Sequence, residues 1–452
     1  MTNADVNMFD DLVASVAQLG PVMRADLDEL VRIDSVSAPG FDPSPVRRCA
    51  LTAAGQLEAA GFHGVRLLEQ DGAHPAVYGE IAAPVGDAPT ILLYAHYDVQ
   101  PQGPDELWNS PPFEPVEIDG RLYGRGTADD KSGIVIHTGA VRAYDGRPPV
   151  GVKVFLEGEE EIGSVHLDGF LGEHRALLAA DAIVVADAGT WSVGVPAFTT
   201  SLRGLVDCVI EVRTLEVGVH SGMWGGVFPD ALSVLVRALA TLHDERGRVA
   251  VPGLARGGSP PVEVEEMSAR EQAGVLDGVS MIGVGSISER LWFEPSVSVL
   301  AIDAPPVAEP INQLLPSARA KVSLRLAPGD DPEQAMEALL AHLKGAVPWG
   351  AVVAVTPGTV AHPFSLDATG PAYDAFRTGF RLAYGRDAVD KGAGGSIPFV
   401  QAFSEAYPQA ALLLTGAADP TSQIHGPNES LDLGELHRSA LAEAVALRVM
   451  AG

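Results

Sequence analysis

The sequence predicts an α/β fold, a sheet sandwiched by helices, interrupted by a smaller inserted α+β domain. Three observations predict it. Short apolar runs rich in β-branched residues alternate with stretches of helical spacing, the pattern of central strands covered on both faces. The texture changes near Thr199 and returns after Pro363. A chain of 452 residues also exceeds what one hydrophobic core usually organises. The expected boundaries are 1–198 and 361–452 for the two parts of the main domain and 199–360 for the insertion.

Taken in order, Val6–Ile33 has helical apolar spacing and is followed by a Pro/Gly-rich break at Ser37–Pro45. A second helix is expected over Val46–Ala60, with Gly61 as its C-cap. Strand-like runs follow at Val65–Leu68, Ala76–Ile81 and Thr90–Ala95, then at Val152–Leu156, Ala182–Ala186 and Ala410–Leu414. Helical patterns at Ser132–Tyr144 and Leu167–Leu178 lie between them, which is α/β alternation. In the insertion, a strand is expected at Leu205–Thr214 and a helix at Pro229–Asp244. Further on come a strand at Ala318–Leu326, a helix at Pro332–Leu343 and a strand at Ala351–Thr356.

Composition narrows the function. With 30 Lys+Arg against 59 Asp+Glu the chain carries −29, which disfavours nucleic acid and anionic membranes as partners. The two cysteines, Cys49 and Cys208, are far apart and form no CxxC, so neither a disulfide framework nor cysteine-based zinc binding is expected. The stretch Met1–Gly20 carries Asp5, Asp10 and Asp11 and does not read as a secretory signal. No apolar run approaches the roughly 20 residues of a membrane span. The cytoplasm is the expected compartment.

The chemistry-bearing residues share one position: each follows a strand expected to be buried. Thr90–Ala95 ends in His96-Tyr97-Asp98, Val152–Leu156 in Glu157-Gly158-Glu159-Glu160-Glu161, and Ala182–Ala186 in Asp187. Ala410–Leu414 leads through a Gly/Pro-rich loop to His425, and the glycine loop Gly124–Asp130 delivers Asp129 and Asp130 to the start of a helix. Ligands of open α/β sheets bind outside the carboxyl ends of the strands. Imidazoles and carboxylates gathered there suit zinc or manganese. Each element alone has an ordinary reading: a core histidine, a helix N-cap, a solvated acidic loop, a turn aspartate. Together they are harder to explain without a cation. His137 reads as a core histidine, and Tyr97 and Trp108 as packing.

The segments LLYAHYDVQP, WNSPPFEP, LYGRGTADDK, EGEEEIGS, GVHSGMWGG, SLRLAPG, GGSIPF and SQIHGPNES run in order over nearly the whole chain. In them the sequence resembles the co-catalytic zinc peptidases, which include carnosinases, cytosolic non-specific dipeptidases, glutamate carboxypeptidases, aminoacylases and succinyl-diaminopimelate desuccinylases. WNSPPFEP and GVHSGMWGG are most similar to the carnosinase and dipeptidase branch. The resemblance implies a mixed sheet of the zinc exopeptidase kind, with the insertion serving as lid and dimerisation domain.

It further implies two divalent metals per subunit, zinc first with manganese or cobalt as alternatives. His96 and Asp187 would hold one metal, Glu161 and His425 the other, and Asp129 would bridge both. Asp98 would orient His96. The pattern Glu-Glu-x-Gly-Ser makes Glu160 the general base and Glu161 the ligand, leaving Glu159 at a variable position. His220 resembles the histidine sent into a partner subunit's active site, and Arg325 the residue that grips a terminal carboxylate in a two-pronged contact. Gly395 and Ser396 resemble a substrate-contacting loop. Gln313 and Ser132 depart from residues common at their positions.

The implied activity is hydrolysis of dipeptides with a free C-terminal carboxylate, by a hydroxide held between the metals, in a homodimer. An N-acyl-amino-acid deacylase or desuccinylase, or a carboxypeptidase, would use the same site. A non-catalytic binding protein would have lost the base or a ligand, and neither is lost here.

Overall fold

The structure, a computed structural model, describes residues 8–395 and 398–452. Two units emerge from the pattern of contacts. Among the described residues, one comprises 8–200, 366–391 and 398–452, and the other 201–365 and 392–395. Among the described residues no helix is long and apolar enough to cross a membrane.

The first unit begins with helix α1 (Asp10–Val31), which buries Met23, Leu27, Leu30 and Val31 at helical spacing. Helix α2 (Ser44–Ala60) ends where expected, at Gly61 with φ of 102°. A Cβ at Gly61 would stand 2.8 Å from the Gly146 backbone, so glycine is required twice over. Strands β1 (His63–Leu68), β2 (Ala76–Ile81) and β3 (Thr90–His96) follow, then α3 (Lys131–Arg142), β4 (Gly151–Glu157) and β5 (Ala182–Val185). The single helix expected at Leu167–Leu178 is two, Leu167–Glu173 and Arg175–Leu178. The backbone leaves the helical region at His174, with φ of −107° and ψ of 22°.

The second unit contains β6 (Gly204–Arg213), α4 (Ala231–Ala240), β7 (Ser296–Asp303), β8 (Ser317–Leu326), α5 (Pro332–Ala346) and β9 (Val352–Ala361). Its sheet runs β7-β8-β6-β9, antiparallel throughout. Val206, Cys208, Ile210 and Val212 of β6 and Ala318, Ala320, Val322 and Leu324 of β8 bury alternate positions in a core shared with α4 and α5. Helix α4 is shorter than the expected Pro229–Asp244 and starts at the Asp230 cap, whose carboxylate accepts from the Ser233 N–H at 2.9 Å. Strand β9 runs past Thr356 through Pro357, which an edge position tolerates.

The chain then supplies α6 (Pro371–Tyr384), β10 (Ala411–Leu414) and α7 (Leu433–Met450) to the first unit. Its six-stranded sheet has the order β1-β2-β4-β3-β5-β10. The pairs β4/β3, β3/β5 and β5/β10 are parallel, and β1/β2 and β2/β4 antiparallel. The sheet is therefore mixed, as expected. Helix α7 packs on α6 and α3, and α1 on α3. Strand β3 is buried from Ile91 to His96, the burial of a central strand covered on both faces.

Candidate metal centre

Parallel register places the chemistry. His96 is paired with Glu157 across β3/β4, and Tyr94 with Val185 across β3/β5. Asp187 is two residues beyond Val185, so it arrives level with His96 at the carboxyl edge of the sheet. His96 is fully buried, and its Nε2 lies 3.0 Å from Asp129 Oδ1 and 4.0 Å from Asp187 Oδ1. Its Nδ1 faces Asp98, 3.1 Å from the carbonyl and 3.3 Å from the carboxylate. The same Asp98 carboxylate accepts from the backbone N–H groups of Glu160 (3.3 Å) and Glu161 (3.1 Å) and from the Ser37 hydroxyl (2.6 Å). One buried aspartate thus fixes both the imidazole and the glutamate loop.

The glycine loop Gly124–Asp130 is held from beneath. Glu429 accepts from the N–H groups of Gly126, Ala128 and Asp129 at 3.0–3.2 Å and pairs with Arg125 at 2.6 Å. Asp130 occupies the N-cap position of α3 but makes no side-chain capping bond. Its Oδ2 instead accepts from the His96 N–H at 3.3 Å. His425, at φ of 63°, turns its Nε2 to Asp129 Oδ2 (2.9 Å) and Glu161 Oε2 (3.1 Å).

Two groups of three donors result: His96, Glu160 and Asp187, and Asp129, Glu161 and His425. Within each, the ligand atoms lie within 4.8 Å of one another. The electrostatics are those of crowded acids. Burial, reinforced by the Asp187 charge, holds Glu160 well above the usual carboxylate range. Burial also raises Asp187, and neighbouring Asp129 adds to it. Asp129 runs the other way: burial opposes its ionisation, but hydrogen bonds from His425 and His96 outweigh it. Hydrogen bonds to Asp129 and Glu161 push His425 up to about 10. Two imidazoles and four carboxylates, with no thiolate, are a donor set that fits two divalent cations.

His220 belongs to the second unit, where it is exposed and its Nδ1 accepts from the Gly222 N–H at 3.0 Å. Arg325 is on β8, opposite Ser296 on β7 and Leu205 on β6. Burial pushes Arg203 down to about 10, with Arg325 nearby adding to the effect. Gly395 is exposed and has open space around it. Ser396 lies outside the described residues. His137 is a core histidine, and Tyr97 and Trp108 are buried, as expected.

Two residues around the centre carry no role in the sequence reading, although both fall within segments quoted there. Gln100 grips Glu161, with its backbone N–H on Oε1 (3.0 Å) and its amide on Oε2 (2.8 Å). Glu429 is the other; the signal for it is its place in SQIHGPNES, closely following His425. Glu159, left at a variable position, is buried and accepts from the His74 N–H (2.8 Å) and His166 Nδ1 (2.8 Å), pinning the loop.

Comparison with known proteins adds four likenesses. The family described as Peptidase family M20/M25/M40 matches residues 92–448. The cysteinylglycine-S-conjugate dipeptidase of Corynebacterium striatum is 38% identical over 80% of this chain and 82% of its own. The human Beta-Ala-His dipeptidase is 28% identical over 78% of this chain and 73% of its own. Among solved structures, the di-peptidase Dug1p from Saccharomyces cerevisiae superposes with a TM-score of 0.82 at 22% identity, covering 98% of each chain.

Proposed function

The chain belongs to peptidase family M20/M25/M40, and from that premise we propose that it is a two-metal dipeptidase that cleaves dipeptides bearing a free C-terminal carboxylate. One observation carries the reading: the two oxygens of Asp129 face two different histidines, Oδ1 toward His96 and Oδ2 toward His425. A carboxylate so placed suits a bridge between two cations. His96 and Asp187 would complete the first set, and Glu161 and His425 the second. Zinc is the proposed metal, with manganese or cobalt as alternatives, because the donors are imidazole and carboxylate. The relatives named as dipeptidases support the substrate class.

When bound, the cations supply Lewis-acid chemistry, polarising the amide carbonyl and acidifying water. The chain's own residues do the rest. Glu160 takes the proton of the attacking water and returns it to the leaving nitrogen. Asp98 holds the His96 ring and the Glu160 backbone in register. His220 stabilises the charge that develops on the carbonyl oxygen. Arg325 receives the terminal carboxylate, and Gly395 and Ser396 contact the substrate backbone. A homodimer in the cytoplasm completes the proposal.

The test is a panel of dipeptides, C-amidated dipeptides, longer peptides and N-acyl amino acids, offered to protein that has been chelated and reloaded with zinc or manganese. Metal-dependent release of amino acids from free dipeptides, and little from amidated ones, is the expected result. A preference for N-acyl amino acids would move the activity to deacylation. Equal cleavage of amidated dipeptides would remove the carboxylate from the substrate's definition.

A further inference from the structure

In a chain carrying −29, a cavity whose lining holds more cations than acids stands out. Such a place exists wholly within the second unit and takes no residue from the metal centre. A cavity of about 240 Å³ is lined by Arg248, Arg256, Arg290 and His243, with Glu294 as the only acid and Ser296 and Ser298 at the start of β7.

Three guanidiniums therefore meet one carboxylate. Glu294 Oε2 is shared by Arg256 at 3.0 Å and Arg248 at 3.4 Å, and the further acids that feel these charges, Asp244 beside Arg248 and Asp330 beside Arg256, do not line the cavity. Arg290 gives its donors to the carbonyls of Ile282 (2.8 Å) and Ser286 (3.1 Å), neutral acceptors that leave its charge standing. The Arg248 Nε is buried and has no hydrogen-bond partner among the described residues. A buried N–H without a partner is uncommon, and a guanidinium donor aimed at nothing is costlier still.

Like charges in a half-buried cavity repel, and an entering anion relieves that repulsion. Guanidinium forks match the paired oxygens of carboxylates and phosphates. The volume falls below the roughly 300 Å³ at which pockets for drug-sized ligands begin, so the occupant is compact. We propose that this cavity binds a small oxyanion carrying two negative charges, a phosphate or a short dicarboxylate, with Arg248 as its principal donor and the β7 serines as neutral partners.

Inorganic phosphate and succinate, titrated calorimetrically into the metal-loaded full chain, are the probes. Saturable binding is expected, weakened at least tenfold in Arg248→Gln and in Ser298→Leu, and declining with added salt. The first variant removes the principal donor; the second leaves every charge in place and fills the cavity with side chain. Melting curves without anion report whether each variant folds, and Ser298→Leu carries the test if Arg248→Gln does not. Binding of phosphate alone assigns a phosphate, and of succinate alone a dicarboxylate. No saturable binding of either anion overturns the proposal. So does wild-type affinity in a folded variant, because the anion then binds elsewhere.

Discussion

Three consecutive glutamates follow β4, and the backbone sends each to a different place. Glu159 turns into the protein to fix the loop, Glu161 joins Asp129 and His425, and Glu160 joins His96 and Asp187. The short helical turn Glu160–Ile162, anchored by Asp98 at two successive N–H groups, is what separates the last two. A residue that holds a metal and one that moves a proton fail differently. Glu160→Gln keeps the shape and the turn but cannot take a proton. Turnover should fall by about 10²- to 10⁴-fold, while metal content by elemental analysis and KM for the dipeptide stay close to wild type. Loss of metal together with activity would make Glu160 a ligand instead. Turnover within about tenfold of wild type would leave no room for it as the base.

At the scale of elements, the parts of the chain that bury themselves were the parts that could be read. Strands β2 to β5 and β10 lie within a residue or so of the expected runs, because a strand covered on both faces must be continuously apolar. Strand β7 gave no such signal: apart from Val297 its side chains are partly or fully exposed, as an edge strand permits. The histidines and aspartates of the two donor groups could be found because they stand at strand ends, in a glycine loop or in the loop after the last strand. Glu429 and Gln100 could not, since what they hold is backbone or another side chain, and only the fold brings them near. His137 was legible as a core residue but not as the partner of a buried acid. Its Nδ1 lies 2.9 Å from Glu443 on α7 and its Nε2 3.0 Å from the Tyr94 carbonyl on β3. With Glu443 ionised, a doubly protonated ring donates to both acceptors. Burial pulls the imidazole down from its ordinary 6.5, but the Glu443 charge and hydrogen bond outweigh it and the net shift is upward. A raised folded pKa means stability that is complete below the unfolded value and lost as pH climbs through the folded one. His137→Leu should cost about 3–5 kcal/mol by stranding Glu443. The double variant His137→Leu/Glu443→Leu should recover part of that and lose the share of alkaline destabilisation that the pair contributes. Melting temperatures followed upward in pH from 6.5 read both effects. Identical pH slopes in wild type and double variant would show that the pair is neutral.

At the scale of the whole molecule, the proposed homodimer and His220 stand or fall together. The segment around His220 in the second unit exposes apolar side chains that a lone chain has no reason to keep: Met223 is 71% exposed, Val227 68%, Phe228 48% and Trp224 44%. Trp224 and Phe228 already lie against each other, with ring centroids 5.9 Å apart. Contiguous exposed apolar groups of this kind mark association surfaces. If a second copy covers them, His220 is carried to the partner with its neighbours, and each active site takes its oxyanion donor from the other subunit. Mixed dimers decide the matter. His220→Ala and Glu160→Gln, each nearly inactive alone, are unfolded and refolded together in equal amounts. With His220 acting across the dimer, every hetero-dimer regains one complete site, the one whose Glu160 is intact and whose histidine arrives from the partner. Half of the dimers are mixed and half of their sites are whole, so about a quarter of wild-type activity should return. With His220 acting within its own chain, both sites of the hetero-dimer stay broken and activity stays at the level of the parents. Sedimentation of the same samples separates that result from a failure to form dimers, which would remove the homodimer from the proposal while leaving the metal centre untouched.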